Sequence, residues 1–308
     1  MKEKDNISHK YMSNPERFAD VFNYYVYKGK QIINPENLFD KDASERILLK
    51  QFGKSEAFDK LRDILKMCTI MSDDKCTMVV MGIENQSEIH YAMSVRNMLY
   101  DAINYSNQVE AITAKHHRNK DLKGSAEFLS GITSEDKLFP VITLVINWGK
   151  EKWTAPKSII EMINPVDDEL KQYISDYRIN VLDPHNIEDF DKFNTELAEV
   201  FELIKRQNEI GVFNDIKKKK GNEWTMSSES IDILNNFAGT RISTKELKSE
   251  GGRVKMSRLT QDLIDEGLDK GIAGAIVILK NLGLDEKSII KKITEQYKIT
   301  EEKAKSFL

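Results

Sequence analysis

Along the 308 residues, apolar positions recur with a period near 3.6 in some stretches and near two in others, and the changes of period mark the elements. Between Pro15 and Tyr27, Phe18, Val21, Phe22 and Tyr25 recur at helical spacing. Asn14 is placed to cap this segment and Pro15 to occupy its first position, which predicts an amphipathic opening helix. Leu61 to Ile70 and Thr77 to Ile83 are apolar runs joined by Ser72-Asp73-Asp74-Lys75, a polar connector suited to a hairpin of two strands. From Val95 to Ile112, one helical face carries Val95, Leu99, Ala102, Ile103, Ser106 and Val109. Arg96, Asn97, Asn104 and Gln108 fall mostly on the other face, so the spacing predicts a crossover helix.

Leu138 to Trp148 is apolar and β-branched, as in a strand inside a sheet, and a further strand is predicted over Tyr177 to Leu182. Phe190, Phe193, Leu197, Val200, Phe201 and Ile204 mark an amphipathic helix that closes the first domain. Beyond Lys217 to Lys220 and Gly221 the pattern is helical: Ser228 opens one segment, 258–282 holds more, and Asp285 and Thr300 stand as caps. Gly283 is placed to end the helix before Asp285. The reading is an α/β domain with a mixed sheet over residues 1–205, followed by an all-helical region over 206–308.

Composition, 40% hydrophobic and 31% charged, is that of an ordinary globular chain. The first ten residues lack the apolar stretch of a secretory signal, and the longest apolar runs are too short to cross a bilayer. The expectation is a cytoplasmic protein without a membrane partner. Cys68 and Cys76 are read as free, buried thiols, and no zinc-ligand spacing occurs. A net charge of -4 confines any phosphate-backbone contact to local patches. The candidates are Lys115, His116, His117, Arg118, Lys120 and Lys123, and the lysines 217–220, the latter read as a solvated linker.

The segment from Val79 to His90 is an apolar strand that turns polar at its end. Side chains alternate along a strand, so Glu84 and Gln86, and Glu88 and His90 if the strand continues, fall on one face. A carboxylate emerging from an apolar strand requires a positive partner or a metal. The preceding strand supplies a second carboxylate, Asp63, between Leu61 and Ile64. Two carboxylates on adjacent strands can share one hard cation, Mg²⁺ or Mn²⁺. Gln86 can orient a water or a phosphate oxygen, but an amide cannot act as a base.

Asp63 followed by Glu84-Asn85-Gln86 is similar to the D…(D/E)xK signature of PD-(D/E)xK nucleases, with Gln in the lysine position. Arg62-Asp63-Ile64-Leu65 and the text from Gly82 to Tyr105 resemble the recombination-promoting nuclease (Rpn) family of bacterial mobile-element proteins, also described as transposases. Phe18 to Gly29 and Leu138 to Pro156 extend the resemblance over roughly residues 10–205. The resemblance implies an αβββαβ nuclease core, metal-dependent DNA cleavage and a role in recombination or element mobility. It makes Asp63 and Glu84 metal ligands, with the backbone carbonyl of Asn85 as a third. Gln86 then lacks the usual cation, and Arg62 or Arg96 would meet transition-state charge. Asp20, with Glu16 in reserve, and Glu88 and His90 are candidates to orient the ligands from behind. Arg62, Arg96, Lys115 and Arg118 are candidates to touch DNA.

The function expected is a Mg²⁺-dependent DNA endonuclease, with Asp63, Glu84 and Gln86 as its catalytic residues. The alternative is a non-catalytic DNA-binding or interaction protein that keeps the nuclease fold, motivated by the missing lysine and the acidic net charge. Cutting both strands often takes two active sites, so a homodimer is compatible, although no interface is marked. No dinucleotide fingerprint, P-loop or nucleophile elbow occurs, so a metabolic α/β enzyme has no supporting motif.

Overall fold

A computed structural model of the chain describes residues 2–40, 64–72, 75–209, 211–242, 253–256, 271–297 and 299–308. Two compact units emerge. One comprises Met1–Glu209 with Glu229–Arg241, the other Ile210–Ser228 with Ile242–Leu308.

The first unit is built on a five-stranded mixed sheet in the order β1-β2-β3-β4-β5. Its strands are β1 (Leu38–Asp40), β2 (Ile64–Ser72), β3 (Lys75–Gln86), β4 (Val141–Asn147) and β5 (Asn180–Leu182). β1, β2 and β3 form an antiparallel meander, and β4 and β5 add in parallel. The hairpin expected from the two apolar runs is present, with Ile64 opposite Ile83 and Ser72 opposite Lys75. A parallel neighbour for β3 requires a crossover, and helix α3 (Met93–Asn119) supplies it.

α1 (Lys2–Ser13) and α2 (Pro15–Tyr27) open the chain. α2 starts as its sequence dictates: the Asn14 side chain accepts from the Arg17 amide, and Pro15 occupies the first turn. α1 is not marked by hydrophobic period, because most of its residues are polar and its buried apolar side chains, Tyr11 and Met12, stand together in its last turn. The predicted closing helix begins later than its aromatic spacing suggests. Phe190–Lys192 is a 3-10 turn, and α4 runs over Leu197–Lys205.

Fully buried Trp148, at the exit of β4, lies between rings of Tyr11, Phe201 and Phe237, with centroids 6.1, 5.4 and 5.6 Å away. These rings come from α1, α4 and the returning segment 229–241, so one aromatic cluster ties three distant stretches of chain to one sheet face. The opposite face is packed by α3 through Met93, which clusters with Val145, Trp153 and Ile179.

α3 lies the other way round from its apolar stripe. Val95, Met98 and Leu99 are exposed, while Asn97, Tyr100, Asp101, Asn104 and Gln108 are buried. The buried polar side chains are held by hydrogen bonds. Asp101 accepts from Thr143 Oγ1 at 2.8 Å and from the Tyr177 hydroxyl at 2.5 Å. Gln108 donates to the carbonyl of Phe139 and accepts from its amide. Such pairing offsets the cost of burying polar groups and decides the helix orientation against the hydrophobic pattern.

The second unit is mainly helical, but it is not all-helical. β6 (Thr225–Ser227) pairs antiparallel with β7 (Arg253–Lys255), stretches too short to show a period of two. The lysine run is not a linker either. Lys217–Lys220 form the last turn of helix α5 (Val212–Lys220), where cations oppose the negative end of the helix dipole, and Gly221 terminates it at φ 79°. Residues 271–281 are helical and end at Gly283, whose φ is 79°. Asp285 caps Glu286–Tyr297 through the Ser288 amide, and Thr300 caps Glu301–Lys305 through the Lys303 amide. Ile272, Ile276, Ile289, Ile293 and Ala304 form this region's core. No helix among the described residues is long and apolar enough to cross a membrane.

Candidate active site at the end of the third strand

The pleat of β3 places Val80, Gly82, Glu84 and Gln86 on one side and Met81, Ile83 and Asn85 on the other. Because β3 and β4 are parallel with Gly82 opposite Thr143 and Glu84 opposite Val145, the Glu84 side is the one covered by α3. Glu84 has no solvent exposure, so its charge is taken fully out of water. Arg96, in the first turn of α3, places Nη2 3.2 Å from Glu84 Oε2, and its own side chain remains one-quarter exposed. Arg96 Nε donates to the Tyr100 hydroxyl at 2.7 Å, one helical turn on, which fixes the guanidinium over the strand end.

The structure thus brings Glu84 and Arg96 together, a pairing that the strand pattern does not foresee. The sequence spacing offers a hint only in retrospect: Arg96 and Tyr100 are four apart on a helix that follows the strand by six residues. Asn85 lies on the opposite side of the sheet, where its Oδ1 accepts from the indole Nε1 of Trp148 at 2.8 Å. Any ligand role for Asn85 is therefore confined to its backbone carbonyl. Gln86 is half-buried, and its backbone carbonyl accepts from the Trp148 amide at 2.8 Å.

β3 ends at Gln86, so strand alternation does not extend to Glu88 and His90 as expected. Glu88 is exposed in the bend that follows. His90 is half-buried, and burial, helped by the nearby positive charge of Arg96, lowers its pKa and favours the neutral imidazole. Its Nδ1 is shielded and has no hydrogen-bond partner among the described residues.

The remaining candidates are dispersed. Asp63 and Arg62 lie outside the described residues. Asp20, on α2, is buried and accepts from the amides of Asn194 and Thr195 and from the Thr195 hydroxyl, so it pins the chain leading into α4. Glu16 is exposed at the start of α2. Lys115 and Arg118 are exposed near the far end of α3, roughly 30 Å along the helix from Arg96 at 1.5 Å per residue. Their neighbour His116 is bracketed by carboxylates: Nδ1 is 2.7 Å from Asp121 and Nε2 is 2.8 Å from Asp136. These contacts raise the His116 pKa and neutralise part of the predicted basic patch.

Sequence reasoning also missed the buried face of α3, where Asn97 has no exposure. A polar stripe of Asn97, Asp101, Asn104 and Gln108 is visible in the sequence, but the same pattern describes a solvated face. Cys68 is buried as expected, and burial pushes its thiol up to about 11.

A carboxylate and a backbone carbonyl are hard oxygen donors of the type that suit Mg²⁺. Among the described residues, no three Asp, Glu, His or Cys side chains gather as a metal cluster. Glu84 is a donor of this type, and Arg96 places its positive charge against it.

The chain matches the family model described as "Putative transposase, YhgA-like" over residues 60–222, just over half its length. No curated protein and no solved structure matches it.

Proposed function

The chain belongs to this YhgA-like transposase family, and from that membership we propose that it is a metal-dependent DNA endonuclease of the PD-(D/E)xK type. The observation that carries the proposal is the position of Glu84, a wholly buried carboxylate at the end of a strand in a β2–β3 hairpin. In the sequence Asp63 immediately precedes Ile64, and Ile64 is paired with Ile83, the residue immediately before Glu84. Among the described residues α2, β1, β2, β3, α3 and β4 follow in that order, with a short helix over Gly124–Ser130 before β4, which supports the αβββαβ order that the resemblance implies.

On this reading Asp63 and Glu84 would hold one Mg²⁺ or Mn²⁺, with the Asn85 carbonyl as a further donor. The ion, when bound, supplies Lewis-acid stabilisation of the phosphate and an acidified water. Gln86, next on the same side of β3, orients the attacking water or a phosphate oxygen. Arg96 carries the positive charge that the missing lysine would have contributed, from α3 instead of from the strand.

The same Arg96–Glu84 pair favours a second reading, in which the guanidinium replaces the metal outright and the fold only binds DNA. A supercoiled-plasmid assay separates the two. The enzyme reading expects nicking with Mg²⁺ or Mn²⁺, none with chelator, and a drop of at least about 100-fold in Asp63→Ala and Glu84→Ala with circular dichroism unchanged. Salt-dependent DNA binding with no cleavage, indifferent to Asp63→Asn, is the outcome expected of the binding reading.

A further inference from the structure

A cavity of about 450 Å³ opens beyond the carboxyl ends of β3 and β4. It is formed by the segments that follow these two parallel strands, Ser87–Ile89 with Tyr91 and Trp148–Glu151, and Lys4 and Phe237 complete its lining. Ligands of open α/β sheets bind outside the carboxyl ends of parallel strands. Ser87, on the wall, directly follows Gln86 of the proposed catalytic centre.

The exit of β4 passes so close to the end of β3 that a Cβ at Gly149 would stand 2.9 Å from Asn147 Oδ1 and 3.3 Å from the Ser87 carbonyl oxygen. A side chain there would press on the Asn147 side chain and the Ser87 carbonyl, so this close approach calls for glycine. Asn147 fixes the turn by donating to the Glu151 carbonyl and accepting from the Gly149 amide.

The lining selects the ligand class. Tyr91, two-thirds exposed, provides the aromatic surface, while the rings of Trp148 and Phe237 are buried behind the lining. The Lys4 ammonium lies 5.5 Å from the Phe237 ring centre. Lys4 and Lys150 face a wall that also carries Glu88 and Glu151, so the positive and negative groups balance. That balance disfavours a bare phosphate, and four charged groups disfavour a purely apolar ligand. An unstacked nucleobase satisfies all of it: aromatic surface to stack on, ammonium donors for ring carbonyls, and carboxylate acceptors for exocyclic amines. The volume lies near the lower end of the roughly 300–1,000 Å³ of small-ligand sites, room for one nucleoside and not for a stacked base pair.

We propose that this cavity receives one unstacked base of the substrate strand beside the scissile phosphate, so that DNA with an unpaired nucleotide is preferred to continuous duplex. The placement beside the scissile phosphate rests on the nuclease reading; the base-binding chemistry does not.

The test uses the full chain, with chelator present, and an oligonucleotide carrying 2-aminopurine, offered single-stranded or in a blunt duplex. The expected result is single-strand affinity at least about 10-fold above duplex affinity, with a change in 2-aminopurine fluorescence on binding. Tyr91→Ala, at an exposed position, should weaken single-strand binding by roughly 5- to 150-fold, the worth of one base–aromatic stack, and leave duplex binding unchanged. Equal affinities for the two forms, or a Tyr91→Ala protein that binds like the parent, would overturn the proposal. Plasmid cleavage without a single-strand preference removes the cavity assignment and leaves the nuclease reading standing. Preference and fluorescence change without any cleavage uphold the cavity and remove the nuclease reading.

Discussion

The Glu84 carboxylate would be unstable in an apolar strand without the guanidinium that meets it, and this pair shows what a linear pattern can and cannot disclose. Glu84 and Gln86 stand out in the sequence because polar residues interrupt an apolar run. Arg96 does not, since its partner is twelve residues away across a loop and a helix start. His116 shows the converse: a residue counted among free cations is held between Asp121 and Asp136. Its pKa is raised by those hydrogen bonds, so its contribution to stability is complete below the ordinary value of 6.5 and is lost as pH rises through the raised value. Asp136, held at about 2 chiefly by the Thr133 amide and hydroxyl, contributes fully above its ordinary 3.8 and loses that contribution as pH falls towards 2. The contact is therefore complete between about pH 4 and 6.5. Urea unfolding of His116→Ala should show destabilisation at pH 5 that has largely vanished by pH 9. An equal effect at both would contradict the bracketed imidazolium.

Among the elements, those with strong local signals were legible. α2 carries its cap and its proline, the β2–β3 hairpin its polar connector, and β4 its β-branched run, and each stands within a few residues of its predicted place. α1 and the β6–β7 ladder were not, because a mainly polar helix and three-residue strands have too little hydrophobic period to be seen. α3 was read correctly as a helix and wrongly oriented, since hydrogen bonds from Asp101 and Gln108 to residues more than thirty positions away outweigh a stripe of modest apolar residues. Asp101→Ala removes the acceptor of two hydrogen bonds and should cost roughly 2–3 kcal/mol. Val95→Ser on the exposed side should change stability by less than about 0.5 kcal/mol. Chemical denaturation measures both, and a reversed ranking would mean that α3 presents its other face to the sheet.

For the whole molecule, a linear division near residue 205 does not coincide with the two compact units, because Glu229–Arg241 returns to the first. That stretch brings Phe237 against Trp148, Glu229 within 2.6 Å of Arg17, and Ser230 to the Tyr11 hydroxyl and the Glu196 carboxylate. Nothing in its local sequence announces such distant partners. A chain ended after residue 209 should therefore have a lower thermal midpoint than one ended after 241, and equal midpoints would show that the returning segment adds nothing. The nuclease reading, finally, makes a stoichiometric demand on the full chain. Calorimetric titration with Mn²⁺ should find one ion per chain in the wild type, and Asp63→Asn and Glu84→Gln should each weaken binding by at least about 10-fold. Unchanged Mn²⁺ affinity in both variants would contradict a cation shared between these two carboxylates.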